Sequence, residues 1–254
     1  MSEETLDTLI DGKLRLYQSR AGYRFSLDTL LLAHFVTVKR GDRIVDLGAG
    51  NGPIALLLSH LHPLASLAGL EVQPAMAERA RRSIILNRLD DRVDIVAGDL
   101  REIGSIFTPS SFDVVVSNPP FRKPSSGRIS PNREKQLARH EIKGALKDFL
   151  SAAAYLVRPK GRLALIYSAE RAVDLLAGLR SAGLEPKRLR WVHSCAEDAA
   201  LLVLVEAVKG GRSGVNVAPP LVIYSKGKDY SAEVAAIVAG LAKPSVRAQL
   251  TDGE

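Results

Sequence analysis

Short β-branched runs alternate with amphipathic stretches through most of this chain. That alternation restricts it to an α/β fold built on a mostly parallel sheet. Arg43–Leu47 (RIVDL), Ser66–Glu71 (SLAGLE), Val93–Ala97 (VDIVA) and Phe112–Ser117 (FDVVVS) read as successive strands, the last apolar enough to be central. Helices are expected between them, from Pro53 to about His60 and from Pro74 onward, each with proline where a first helical turn tolerates it. Further on, the pattern predicts a helix over about 140–157, a strand over 162–167 and a helix over 170–182. Two closing strands over 187–193 and 201–208 should form an antiparallel pair at the sheet edge. With no repeat and no long linker, the expected organisation is one domain over 1–243. It begins with a helical extension over about 1–40 and is followed by a frayed tail, 244–254.

Composition narrows the class further. The chain has 254 residues, 46% hydrophobic and 25% charged, which is ordinary for a soluble globular protein and excludes a disordered or collagen-like chain. No apolar stretch reaches the roughly 18 residues of a membrane span, and the acidic start has no apolar secretory core. The lone Cys195 excludes an intrachain disulfide and a cysteine-based zinc cluster, and fits a cytoplasmic location. His60 and His62 lack a third ligand nearby, so no metal is expected. The net charge of +7, from 35 basic and 28 acidic residues, points to an anionic partner.

The sequence Asp46-Leu47-Gly48-Ala49-Gly50-Asn51-Gly52 lies between a buried strand and a helix start. Its alternate glycines allow a sharp turn and close approach of a ligand to the backbone. A dinucleotide fingerprint needs glycine where Pro53 stands, and no Gly-Lys-Ser/Thr follows for a polyphosphate. The loop therefore suits an adenosine-type cofactor without phosphates. Glu71 ends the second strand about 20 residues beyond the loop, where a carboxylate can accept from ribose hydroxyls. Asp99 follows the third strand and can accept from an exocyclic amino group.

These motifs resemble those of class I S-adenosylmethionine-dependent methyltransferases. The resemblance implies a Rossmann-like fold with a seven-stranded, mostly parallel sheet, an antiparallel closing strand and helices on both faces. It also implies S-adenosyl-L-methionine as cofactor and S-adenosyl-L-homocysteine as product. Asp46 and Gly48, Ala49, Gly50, Asn51 and Gly52 would hold the methionine end, Glu71 and Val72 the ribose, and Asp99 and Leu100 the adenine. Upstream, Phe25-Ser26-Leu27-Asp28 reads as a helix start capped by Ser26 or Asp28. The resemblance adds that Phe25, Ser26 and Asp28 fold over the cofactor.

Asn118-Pro119-Pro120-Phe121 follows the fourth strand at the same sheet edge. Two prolines alone would only end a strand. The asparagine before them and the aromatic after them fit a chemical task. An exocyclic amine on a base is a poor nucleophile because its lone pair is delocalised. Accepting both its protons, on the Asn118 oxygen and a backbone carbonyl fixed by the prolines, aims that lone pair at a methyl donor. Phe121 offers a stacking face worth roughly 1–3 kcal/mol. The tetrapeptide resembles the signature of amino-group methyltransferases. Over about residues 20–235 the chain is similar to the tRNA(Val) adenine-N6 methyltransferase family, with Ala138-Arg139-His140-Glu141 and Pro219-Pro220-Leu221 among the matching segments.

Arg122, Lys123, Arg128, Arg133, Lys135 and Arg139 crowd the segment after this motif and form a candidate RNA-binding loop. Arg79, Arg81 and Arg82, by contrast, read as a solvated helix face. The leading expectation is methylation of adenine N6 in tRNA. Guanine N2 of ribosomal RNA, adenine of DNA and a protein glutamine amide remain open alternatives. An O-methyltransferase lacks a base at this site, and an oxidoreductase is disfavoured by Pro53. A basic RNA-binding protein with a vestigial cofactor site is the non-enzymatic alternative. Monomer and homodimer are both left open.

Overall fold

The computed structural model describes residues 4–20, 22, 24–120 and 145–242. The segment 121–144, with Phe121 and the six basic residues of the expected RNA-binding loop, lies outside the described residues, as does the expected tail.

The first forty residues differ from the expected helical extension. Strands β1 (Glu4–Leu9) and β2 (Leu14–Ser19) form an antiparallel hairpin, and α1 (Leu27–Phe35) is the only helix there among the described residues. LRLYQS alternates with period 2, with Leu14, Leu16 and Gln18 inward, which a helix cannot use to bury one face; ETLDTL has no such alternation and is held as a strand by its pairing with β2. Ile10, Asp11 and Gly12 all adopt positive φ angles in the turn, 51°, 47° and 83°.

The four expected parallel strands have the bounds read from sequence: β3 (Arg43–Leu47), β4 (Ser66–Glu71), β5 (Val93–Ala97) and β6 (Phe112–Ser117). Between them run α2 (Pro53–Leu61), α3 (Pro74–Leu86) and the one-turn α4 (Ile103–Ile106). Then come α5 (Leu146–Leu156), β7 (Val157–Ser168), α6 (Ala172–Ser181), β8 (Leu184–His193) and β9 (Ala200–Lys209). β9 lies between β7 and β8 and is antiparallel to both, as expected of the reversed closing strand. Two short strands, β10 (Asn216–Val217) and β11 (Leu221–Val222), pair with the outer edge of β8, so the sheet has nine strands rather than seven. The chain then forms a small hairpin, β12 (Tyr224–Lys226) with β13 (Asp229–Tyr230), and ends its described part in α7 (Ala232–Val238).

The order across the sheet is β10-β8-β9-β7-β6-β3-β4-β5. Apolar side chains on the strands alternate between two cores. Ile44, Val114, Val116, Leu202 and Leu204 join α1, α2 and α3 on one face; Val45, Val115, Val203 and Val205 join α5 and α6 on the other. A strand buried on both faces must be apolar at every position, hence Val114-Val115-Val116. The order reverses at β3, which pairs with β4 on one side and β6 on the other. Such a switch point opens a crevice at the carboxyl ends of the strands, where open α/β sheets bind ligands.

Candidate functional site

The crevice is present at that switch point. A cleft of about 920 Å³, counted to its open mouth, lies over the ends of β3, β4, β5 and β6. Phe25, Gly48, Ala49, Gly50, Asn51, Glu71, Val72, Leu100 and Asn118 all line it, together with Pro120 of the proline pair.

The loop after β3 is shaped by its hydrogen bonds. The Leu70 carbonyl accepts from both Gly48 N and Ala49 N, at 2.9 and 3.0 Å, which turns the chain away from the sheet. Gly52 then caps α2 with φ of 85°, and Pro53 opens the helix. Glycine is required at positions 48 and 52. Gly48 has φ of 78°, and a Cβ there would stand 3.3 Å from the Phe149 ring; at Gly52 it would stand 3.1 Å from Ala80. Gly48→Ala is therefore expected to cost about 1–2 kcal/mol of stability through the left-handed backbone alone. It should also push Phe149 into the cleft. Thermal denaturation and cofactor titration by calorimetry check both effects.

Glu71 is buried, and its carboxylate organises the cleft wall. Oε2 accepts from Gly50 N at 2.8 Å and Oε1 from Gln73 N at 2.9 Å. These bonds fix the carboxylate on the cleft wall.

Asp46 stands one residue inside the strand, fully buried, beneath the loop it introduces. Neither carboxylate oxygen has a hydrogen-bond partner among the described residues. Burial, reinforced by the nearby Glu71 charge, pushes this carboxyl up to about 8. An unpartnered buried carboxyl beside a glycine loop fits a site made for a cation that arrives with a ligand.

Asp99 differs from expectation. It caps a short 3-10 turn through Arg101 N at 3.0 Å, and its two oxygens also take the Arg101 guanidinium, with Nη2 at 2.5 Å. Gly98 and Leu100, rather than the Asp99 side chain, line the cleft at this point. An adenine amino group would have to share Asp99 with Arg101. Asp46, Gly52, Ser26, Asp28 and Pro119 likewise stand outside the lining. Ser26 occupies the N-cap position of α1 without a side-chain cap, and burial pushes the Asp28 carboxyl above its ordinary range.

Asn118 is half-buried at the end of β6 and borders the cleft. The preceding Ser117 hydroxyl donates to the Leu47 carbonyl at 2.7 Å, so the end of β6 is fastened to the end of β3. That bond sets the Asn-Pro-Pro segment and the glycine loop in a fixed relation.

Several contributors lie outside the site residues expected from the sequence. Thr29 and Phe149 line the cleft from α1 and α5. Arg79 is buried, and its Nε donates to Asn51 Oδ1 at 2.9 Å, bracing the glycine loop from α3. This corrects the expectation of a solvated arginine face. Arg81 donates to the Ile95 carbonyl, and Arg82 pairs with Glu4 of the hairpin. The helix spacing Met76, Arg79, Ala80, Ser83 could have shown that Arg79 faces inward. The hairpin also holds the upper rim: the Phe25 N–H donates to Gln18 Oε1 at 2.9 Å, and Gln18 is fully buried.

The model for the methyltransferase small domain matches residues 25–177, which include the glycine loop, Glu71 and Asn118. The chain belongs to the methyltransferase small domain family. Methyltransferases of this class draw their methyl group from S-adenosylmethionine, and the cleft's phosphate-free loop and orphan buried Asp46 fit that cofactor.

Two relatives from Porphyromonas gingivalis are named tRNA1(Val) (adenine(37)-N6)-methyltransferase. One is 35% identical over 164 residues, covering 64% of each chain; the other is 39% identical over 133 residues, covering 52% of this chain and 51% of the relative. The chain thus spans between about half and two-thirds of these relatives. A relative of the same name from Tolumonas auensis is 28% identical over 189 residues, or 74% of this chain and 77% of the relative. Among solved structures, a predicted O-methyltransferase from Agrobacterium tumefaciens superposes with TM-score 0.70 at 24% identity, over 85% of this chain and 97% of that one. At that identity the likeness shows the family fold alone. Among the described residues, no group of three His, Cys, Asp or Glu side chains could hold a metal, and no helix is long and apolar enough to cross a membrane.

Proposed function

We propose that this protein transfers a methyl group from S-adenosyl-L-methionine to the exocyclic amine of a nucleobase, with adenine N6 in tRNA as the substrate. The observation that carries the reading is the position of Asn118: a half-buried amide followed by two prolines, on the border of the cofactor cleft and locked to β3 through Ser117. The names of the relatives from P. gingivalis and T. auensis support the choice of tRNA adenine.

When bound, S-adenosylmethionine supplies an electrophilic methyl group on a sulfonium and leaves as S-adenosyl-L-homocysteine. The chain's own part is to bind, orient and dry the site. Asp46 holds the ammonium of the methionine end, and Glu71 accepts from the ribose. Phe25, Met76 and Phe149 exclude water around the cofactor. Asn118 and a neighbouring backbone carbonyl accept the two amine protons, so the nitrogen lone pair faces the methyl carbon. Rate then comes from alignment and fixed dipoles, without a side-chain base. The extra proton on the methylated nitrogen is acidic and passes to water.

A single domain over 1–243, acting on tRNA in the cytoplasm, completes the reading. Arg122, Lys123, Arg128, Arg133, Lys135 and Arg139, which follow Asn118-Pro119-Pro120-Phe121, would hold the phosphates beside the target base. An unpaired loop adenine also avoids part of the few kcal/mol needed to extract a base from a duplex. The test is to incubate the protein with methyl-labelled cofactor and separate pools of unmodified tRNA, ribosomal RNA, DNA and protein. Label is expected in tRNA. Label confined to protein would replace this reading with glutamine-amide methylation.

A further inference from the structure

A second groove, of about 1050 Å³ counted to its mouth, lies at the opposite end of the sheet from the cofactor cleft. Five cations line it, Lys39, Lys160, Arg162, Lys187 and Arg188, against the single acid Glu206. Lys39 precedes β3, and Arg162 pairs with Val114 near the beginning of β6, so the groove faces the amino ends of the parallel strands. The five residues of β3 alone separate that end from the cleft by about 17 Å.

The cations fall into two sets. The floor arginines are committed within the protein. Arg162 pairs with Asp42 and donates to the Thr37 carbonyl at 3.0 Å. Arg188 pairs with Glu206 at 3.3 Å, donates to the Phe35 carbonyl and lies 4.0 Å over the Phe35 ring. The rim lysines have no acidic partner among the described residues. Lys160 Nζ donates to the Gly210 carbonyl at 2.6 Å, and Lys187 Nζ to the Gly214 and Arg212 carbonyls at 2.6 and 3.1 Å. An ammonium has three N–H donors, so these backbone contacts hold both groups in place and leave each at least one donor for a ligand. Lys39 is exposed, as is Arg212 on the loop that carries Gly210 and Gly214.

A small buried anion needs uncommitted charge at depth, and here the deep charge is neutralised. Uncommitted charge at an open rim, drawn from three elements, suits an extended polyanion. We propose that this groove binds the phosphodiester backbone of the RNA substrate at a distance from the reacting base. The inference rests on the RNA reading above. It gives part of the net charge of +7 a location within the described residues.

The test compares the full chain with the triple variant Lys39→Glu/Lys160→Glu/Lys187→Glu and with the corresponding triple Lys→Arg variant. Fluorescence anisotropy measures binding of full-length tRNA and of a short oligonucleotide carrying the target adenine, over a range of salt. The Glu variant should bind tRNA on the order of tenfold more weakly at moderate salt, with the log–log salt slope reduced by about 2. Its affinity for the short oligonucleotide and for S-adenosylmethionine should be unchanged. The Arg variant should restore tRNA binding. Unchanged tRNA affinity and slope would overturn the proposal, as would an equal loss on the short oligonucleotide or displacement of tRNA by inorganic pyrophosphate. Groove-dependent tRNA binding by a wild-type protein that methylates no RNA would uphold the groove and overturn the methylation reading.

Discussion

Asp46→Asn should make the cofactor-free protein more stable while removing its ability to bind S-adenosylmethionine. In the unfolded chain this carboxyl ionises near pH 4, whereas in the fold burial and Glu71 hold it protonated up to about pH 8. Folding therefore takes up a proton between those values. The corresponding stability is complete below pH 4 and is lost as pH rises through 8, at about 1.4 kcal/mol per pH unit for a single group. Asparagine has no ionised form to desolvate, so its advantage over Asp46 should grow from pH 5 to pH 8. Its amide adds two buried N–H donors, and an unsatisfied donor costs about 1–3 kcal/mol. A net gain of about 2 kcal/mol near neutral pH is expected, visible as a raised Tm whose excess over wild type disappears in acid.

The same substitution removes the anion that pairs with the cofactor ammonium. Breaking a buried ion pair by deleting one partner costs about 3–5 kcal/mol, or roughly two to nearly four orders of magnitude in Kd. In the wild type, Asp46 must release its proton to form that pair. Cofactor affinity should therefore rise with pH towards 8, and the calorimetric enthalpy should vary with the ionisation enthalpy of the buffer. A variant that loses stability at neutral pH and keeps cofactor affinity would show that Asp46 is a structural acid.

Asn118→Ala is expected to separate binding from transfer. The side chain borders the cleft, and Glu71, Asp46 and the glycine loop are independent of it. Cofactor Kd should change little. Losing one preorganised acceptor at the reacting amine should lower kcat about 10²–10³-fold, in line with the removal of a single oxyanion-hole donor. Asn118→Asp is a sharper version. It keeps an acceptor but adds negative charge, so substrate binding should suffer along with turnover. Undiminished single-turnover transfer by Asn118→Ala would remove the assigned role of this residue.

Legibility in the sequence followed the range of the interactions involved. β3, β4 and β6 are readable to the residue because they are apolar and largely buried, and β5, an edge strand with Asp94 exposed, because Val93, Ile95 and Val96 are β-branched and Gly98 bounds it. The glycine loop and Glu71 were readable because a tight turn and a strand-end carboxylate are local requirements. The hairpin is harder to read: only LRLYQS alternates with period 2, and ETLDTL becomes a strand by pairing with it across Asp11-Gly12. Arg79 was obscured by its charge. A run of Arg79, Arg81 and Arg82 reads as solvent-facing, yet only Arg79 shares the face of Met76 and Ala80 and reaches Asn51. Phe149 is of another kind: nothing near it marks a ligand, and only the packing of α5 brings it to the cleft, whereas Thr29 follows directly on the Phe25-Ser26-Leu27-Asp28 segment. Asp99 follows β5 as a strand-end acid, and what the sequence does not show is that Arg101, two residues later, pairs with its carboxylate.

The most direct measurement is the identity of the methylated nucleoside. Unmodified tRNA is incubated with the protein and methyl-labelled S-adenosylmethionine, digested to nucleosides and resolved by chromatography and mass spectrometry. The account predicts label in N6-methyladenosine, absent when Asn118→Ala replaces the wild type. Label in N2-methylguanosine, in a ribose-methylated nucleoside or in no nucleoside would contradict it.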